Sequence, residues 1–472
     1  MFSVNSLGFL CFLAVLTPLW FVTRPGRRWQ LMLAANLVFY LSIDVPGLFV
    51  MLASALVVWL SARHAAPGAA SAGRWFSLGL FAALAPLLAL KYYGMAAETA
   101  NSLFGLSLWD GAGLLQPLGL AYFSLQRVSY LVDVRRGTLS AEPCFARVLC
   151  YASFFFSITQ GPFNRYGTLM PQLDAPTRFD SRRLWRGAMR CAWGYFKKYA
   201  VAERAAVVVS AAFAAPQDLD RSQLIFGAVM YSFQLYADFS GYTDIVLGAG
   251  EILGLALPEN FRQPFLAATV RELWSRWHIS LSQWFRDYVY IPLGGNRRGA
   301  ARRDGNLVVT FLASGLWHGA NWTFVVWGGL HGLIQAVENH LPWRKRITKF
   351  PLRLAGIAGT FLIFVFTFTI FRADSLPDAL EYFRCIALNG GTHVFSEYWE
   401  LGLTSRLDIV LLLGGIAALV AVDILHECGV HLRDAIAASP LPVRWLVYEC
   451  AIFAFLLMGK FLSDGGFLYA RF

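Results

Sequence analysis

Two Trp-His pairs, Trp277-His278 and Trp317-His318, lie forty residues apart in a chain of 472 residues that is 57% hydrophobic. Both fall where the surrounding sequence is apolar enough for a membrane or its edge. An imidazole is costly to bury in lipid unless it has a partner or a task, so histidines at that depth point to the handling of a proton or an acyl group. His318 stands between Gly315 and Gly319, small residues that let a ligand reach the ring. His331, in Gly328-Gly-Leu-His-Gly332, reads as a hydrogen-bond donor in helix packing. On a continuous helix Arg271, Trp274, His278 and Ser282 follow i, i+3, i+7 and i+11 and share one face. Three histidines also raise the question of zinc; with no ligand pair at i, i+4 and no nearby Cys to complete a set, no metal is expected.

Composition sets the class in which this chemistry must work. A mean hydropathy of +0.51 and 15% charged residues, against about a quarter in soluble domains, define a polytopic membrane protein. There is no long polar stretch for a separate soluble domain, so residues 1–472 read as one integral-membrane unit. The net charge of +11 does not imply nucleic acid, because the basic residues form short clusters between apolar runs, as in loops that obey the positive-inside rule. Seven cysteines are scattered without CxxC spacing and read as small core residues. The run from Phe2 to Val22 lacks a basic region before it and a small-residue cleavage site after it, so it reads as a first membrane helix.

The fold expected is all-α, with about eleven transmembrane helices near 4–22, 29–43, 46–62, 75–93, 117–133, 192–214, 223–237, 322–340, 352–371, 407–425 and 445–462. Arg24/Arg27/Arg28, Arg63/Arg74 and Arg135/Arg136 each close an odd-numbered helix, which puts these loops in the cytoplasm and both termini on the opposite side. Segments 145–160, 239–257 and 307–321 are short or broken by Gly and read as re-entrant or half-crossing pieces; such backbone is tolerated only around a buried chamber. From Arg262 to Arg303 eight Arg face only Glu272 and Asp287, and the aromatic–Arg interleaving suits an amphipathic interfacial helix whose guanidinium groups attract a polyanion such as coenzyme A. Asp238 and Asp244 are carboxylates at membrane depth, expected to face a cavity or to pair with that Arg-rich helix.

The stretch Arg271-Glu-Leu-Trp-Ser-Arg-Trp-His-Ile-Ser-Leu-Ser-Gln-Trp-Phe-Arg-Asp-Tyr-Val-Tyr-Ile-Pro-Leu-Gly-Gly-Asn-Arg297, followed by Gly315-Leu-Trp-His-Gly-Ala-Asn-Trp322, resembles the membrane-bound O-acyltransferase family, in particular its bacterial branch of alginate O-acetyltransferases and teichoic acid D-alanyl transferases. Supporting matches are Pro117 to Asp133, Gly194-Tyr-Phe-Lys-Lys198, the Asp238 to Asp244 segment and Phe371-Arg-Ala373, so the likeness covers about 117–373. Thr159-Gln-Gly-Pro-Phe-Asn-Arg-Tyr166 keeps the Gly-Pro and Arg-Tyr of the family but has Gln160 where a small residue is expected.

The resemblance implies a helical shell around a central funnel, a cytoplasmic acyl donor and an acceptor reached from the other face. It implies that His318 is catalytic and His278 the second site residue, with Arg271, Trp274, Ser282, Trp317, Asn321 and Asp238 as candidates for contacting substrate. Transfer of an acyl group from a thioester to a hydroxyl needs a base and a stabilised oxyanion, and imidazole suits the first role. The expectation is an inner-membrane O-acetyltransferase that binds no resident cofactor, uses acetyl-CoA as donor substrate and serves an exported exopolysaccharide such as alginate or cellulose through a periplasmic acceptor protein. D-alanyl transfer to teichoic acid is the alternative within the class. A transporter or translocase without acyl chemistry is the alternative outside it. The loop Arg372 to Arg406, with an interfacial helix at 378–384, is the candidate docking site for the partner.

Overall fold

Backbone groups surrounded by lipid must be satisfied within their own segment, which leaves the helix as the structure open to so apolar a chain. The computed structural model describes residues 4–68, 70–341, 350–393 and 396–460, and every regular element among them is helical. The first half comprises α1 (Leu7–Val22), α2 (Arg28–Leu41), α3 (Val45–His64), α4 (Ala72–Leu90), α5 (Tyr93–Phe104), α6 (Leu120–Arg135), α7 (Phe145–Ala152), α8 (Tyr166–Asp174), α9 (Ser181–Phe196) and α10 (Glu203–Ala214). There follow α11 (Arg221–Leu253), α12 (Val270–Arg276), α13 (Ile279–Phe285), α14 (Ala300–His318), α15 (Trp322–Glu338), α16 (Phe350–Arg372), α17 (Leu376–Leu388), α18 (Arg406–Glu427), α19 (Leu432–Ala438) and α20 (Leu441–Met458). Five of these, α3, α4, α16, α18 and α20, are long and apolar enough to cross a membrane by length and composition.

Several expected pieces change once packing is visible. Residues 239–253 of the 239–257 segment are not a separate re-entrant piece, because they belong to α11, a single helix of 33 residues that ends at Leu253. Its glycines do not break it; they let α9 lie directly against it. A Cβ on Gly241 would stand 2.8 Å from the Gly194 carbonyl oxygen, and one on Gly248 2.5 Å from that of Gly187. The 307–321 segment is likewise the greater part of one continuous helix, α14, which crosses α15 where Gly315 and Gly328 remove both side chains from the contact. In 145–160, α7 ends at Ala152 and the chain continues through buried turns. The expected span 192–214 is divided into α9, a π-turn at Lys197–Ala202 and α10. The last expected span, 445–462, reaches Met458, and residues 461–462 lie outside the described residues.

The basic clusters gather at one end of the bundle. Trp20 Nε1 donates to the Leu253 carbonyl at 2.8 Å, Arg28 to that of Thr177 at 2.8 Å, and Arg136 to that of Asp287 at 3.0 Å. The ends of α1, α6 and α11 and the start of α2 therefore lie beside the 256–303 region. At the other end Tyr199 donates to the Asn5 carbonyl at 2.7 Å and Arg204 to that of Met458 at 2.6 Å, so the two ends of the described chain share the side away from the basic clusters. Two apolar clusters fill the interior. Leu281, Trp284, Phe285 and Trp317 belong to that of the first half, whereas Trp274, Trp277, Phe324 and Trp327 belong to that of the second. His278 and His318 stand on the seam.

Candidate active site

His318 is the last residue of α14, a position set by Gly319, whose extended backbone (φ −165°) leaves the helix, and by Asn321, which caps α15. His278 joins α12 to α13 in a left-handed conformation (φ 43°, ψ 52°), which costs an L-residue roughly 1–2 kcal/mol. That turn is held by Asn260. Its carbonyl accepts from Ile279 N at 3.0 Å, and its Oδ1 accepts from Ser280 N at 3.3 Å and Ser280 Oγ at 2.6 Å. Ser280 Oγ in turn accepts from Phe163 N at 2.9 Å, so the strained turn is fixed to the chain that follows α7.

The two imidazoles lie 6.4 Å apart between ring centres, both buried. Around His278 stand Phe239 at 4.7 Å, Trp317 at 5.9 Å and Phe163 at 6.1 Å; around His318 stand Trp317 at 4.9 Å, Trp327 at 5.2 Å and Phe371 at 5.5 Å. Neither ring nitrogen of His278 has a hydrogen-bond partner among the described residues. The same holds for the hydroxyl of Tyr122 and the amide of Gln160. A buried polar group without a partner costs about 1–3 kcal/mol, so such a cluster marks a place built for something other than packing.

His318 and Trp317 line a cavity of about 490 Å³ with Asp44, Lys91, Gln116, Tyr122 and Thr159. It lies at the end of the bundle away from the arginines, where Tyr40 donates to the Leu118 carbonyl and Leu118 N to Asp44 Oδ2. A second cavity, about 650 Å³, lies at the basic end among Arg186, Arg190, Arg262, His431 and Arg433, with the hydroxyl residues Ser240 and Thr243 also in its wall. Phe261 lines this cavity and packs edge-on against Phe239 at 4.9 Å, so the two rings stand between it and His278. The two cavities are separate: His318 lines the first, and His278 lies behind Phe239 and Phe261 from the second.

The family model for membrane-bound O-acyltransferases matches residues 114–376. The probable alginate O-acetylase of Azotobacter vinelandii is 34% identical over 87% of this chain and 83% of its own length. The chain belongs to the membrane-bound O-acyltransferase family. A peptidoglycan O-acetyltransferase of Helicobacter pylori is 32% identical over 67% of the chain and 65% of its own length. A teichoic acid D-alanyltransferase of Bacillus subtilis is 28% identical over 55% and 69%. The protein is thus a multi-pass membrane-bound acyltransferase, and the match spans both Trp-His pairs.

Within this acyltransferase the expected site residues separate. His278, His318 and Trp317 come together. Arg271, Trp274, His278 and Ser282 do not share a face, because the helix ends at Arg276 and restarts at Ile279. Arg271 is exposed, and Trp274 turns inward to donate to His331 Nδ1 at 3.3 Å. Ser282 Oγ donates to the Trp277 carbonyl at 3.5 Å. Nor is 262–303 one interfacial helix, since Trp274, Trp277 and Trp284 are buried in the bundle. Asn321 is a helix cap: its Oδ1 accepts from Thr323 N at 2.9 Å and its Nδ2 donates to the Asp374 carbonyl at 2.6 Å. None of Arg271, Trp274, Ser282 and Asn321 lines either cavity.

Asp238 and Asp244 are paired, but not with the 262–303 arginines. Lys198 Nζ lies 2.8 Å from Asp238 and 2.6 Å from Glu203; Lys197 lies 2.8 Å and Arg190 2.9 Å from Asp244. These cations belong to α9 and its π-turn, one face of the wall that α11 completes. His331 is a packing residue: Nδ1 accepts from Trp274, and Nε2 meets Thr367 Oγ1 at 3.1 Å while that hydroxyl donates to Ile363 O. Among the described residues no group of three His, Cys, Asp or Glu is placed to hold a metal ion. Sequence reasoning missed Lys91, Asp44 and Gln116 in the His318 cavity. Tyr122 lay within a matched segment, but nothing in its spacing singled it out.

Proposed function

We propose that this protein is an O-acetyltransferase of the bacterial inner membrane. It takes acetyl from acetyl-CoA on the cytoplasmic side and passes it across the bilayer for esterification of an exported exopolysaccharide such as alginate or cellulose. The observation that carries this reading is the pair of histidines 6.4 Å apart, set between cavities at opposite ends of the bundle. The basic end faces the cytoplasm by the positive-inside rule, which puts both chain ends in the periplasm and gives the whole chain, as one unit of about eleven spans, its orientation. The cavity of about 650 Å³ supports a polyanionic donor, with Arg186, Arg262 and Arg433 at its wall.

His318 acts as the general base that takes the acceptor hydroxyl proton, a role worth about 10²–10⁴ in rate. His278, whose ring nitrogens have no partner among the described residues, orients the thioester or donates to the oxyanion. Acetyl rather than D-alanyl is favoured because the alginate O-acetylase relative matches 87% of the chain and the D-alanyltransferase only 55%. A periplasmic protein of the secretion complex docks on the 372–406 side and presents or receives the acceptor. α17 (Leu376–Leu388), half-buried there, replaces the shorter interfacial helix expected from sequence.

The test is thioester cleavage by the purified protein in lipid nanodiscs. Acetyl-CoA is offered with an alginate or cellulose oligosaccharide, and a D-alanyl carrier-protein thioester is offered in parallel. Release of CoA with formation of an acetyl ester is expected. Use of the D-alanyl thioester alone would move the protein to the other branch. Passage of solute through proteoliposomes without any thioester cleavage would make it a transporter.

A further inference from the structure

A half-buried lysine in so apolar a chain needs acceptors for its charge and its protons. Lys91, directly after α4, has them at the catalytic turn: its ammonium donates to the carbonyl oxygen of Trp317 at 3.0 Å and to that of His318 at 3.1 Å. The last four carbonyls of a helix have no partner within it. In α14 each of them is met. Gly315 O accepts from Gly319 N at 3.4 Å, Leu316 O from the Tyr92 hydroxyl at 2.6 Å, and Trp317 O and His318 O from Lys91. Gly319 leaves the helix in an extended conformation, not the left-handed one that lets a chain close its own end. Two side chains from the end of α4 therefore supply the cap.

We propose that Lys91 is a positioning residue for acyl transfer: its ammonium fixes the backbone of the Trp317-His318 turn and so aims the His318 imidazole into the cavity that both residues line. This rests on the reading of His318 as the base. The charge is matched to its place, since a cation at a helix C-terminus offsets the partial negative charge of the aligned carbonyls. The far side of the turn is fixed independently by Trp317 Nε1, which donates to the Ala121 carbonyl at 3.2 Å, so α4 and α6 clamp the turn between them. Loss of the ammonium removes both of these hydrogen bonds and opens one side of the clamp. A displacement of about 1 Å at a reacting group costs on the order of 10²-fold in rate.

The experiment compares Lys91→Met, which keeps length and removes the donors, with Lys91→Arg, which keeps charge and donors. Both are assayed as detergent-purified, monodisperse protein for kcat and for the KM of acetyl-CoA and oligosaccharide. The expected result for Lys91→Met is a fall in kcat of about 30–100-fold with each KM within about twofold of wild type, and for Lys91→Arg recovery to within about fivefold. A kcat for Lys91→Met within twofold of wild type, a change confined to KM, or Lys91→Arg no better than Lys91→Met would overturn the proposal. Should Lys91→Met not accumulate, Tyr92→Phe carries the test: it removes only the bond to Leu316 O, and a kcat loss of about 3–10-fold is expected against none if the cap has no bearing on His318. Wild-type protein that fails to cleave acetyl-CoA would overturn the functional reading beneath the proposal, a different outcome from a fully active Lys91→Met.

Discussion

His318 ends a regular helix of 19 residues, with its carbonyls capped, and is one of the residues that line a cavity. His278 sits in a left-handed turn between two helices of seven residues, with rings on every side and no partner for either nitrogen among the described residues. On the proposed reading of the site, the difference suits the two imidazoles to different tasks. A residue on a capped helix end beside open space is placed for contact with an incoming group. A residue held in a strained turn, tied by Asn260 and Ser280 to a separate segment, is placed for fixed orientation, and the strain persists only because its neighbours over-determine it.

The sharpest way to break that contrast is to replace His278 by Ala and by Gly. Both should reduce acetyl transfer on the order of 10²-fold, since either removes the ring. The Gly variant, free of the cost of a left-handed turn, should be the more stable by about 1 kcal/mol in thermal unfolding. Equal stability would mean that the turn carries no strain. A smaller effect is expected from Ser280→Ala, which strips the link between Asn260 and Phe163 and leaves a buried N–H unmet. A loss of about 1–3 kcal/mol, with activity falling while His318 is untouched, would sharpen the account of how His278 is held. The smallest effect belongs to Arg271→Ala: the side chain is exposed and turned away from both histidines, so transfer should stay within about twofold of wild type. A tenfold loss there would restore the continuous helical face that the structure replaces.

How much of this was legible in the sequence follows from what each residue type reports. Most of the expected spans coincide with helices to within a few residues, because hydropathy and helix length are tied together by the bilayer. The histidines were legible because imidazole is expensive at that depth. Glycines misled. Those of 239–257 and 307–321 weighed toward re-entrant pieces, yet Gly241, Gly248 and Gly315 each serve close helix contact, and a sequence does not reveal whether a missing side chain loosens one helix or admits another. The turn at His278 was hidden for a related reason: Arg271 to Ser282 has helical spacing throughout, and only the tertiary hydrogen bonds to Asn260 explain why the helix stops. Lys91 was invisible because its acceptors lie 226 and 227 residues away.

The most direct test of the central claim, that His318 is the group that meets the acceptor, is the ester-linked acetyl content of exopolysaccharide from cells lacking this gene. The cells carry either the wild-type gene or His318→Ala, compared at matched membrane abundance. The account predicts that wild type restores acetate while His318→Ala leaves it at the level of the deletion, with polymer export unchanged. Full acetylation by His318→Ala would contradict it.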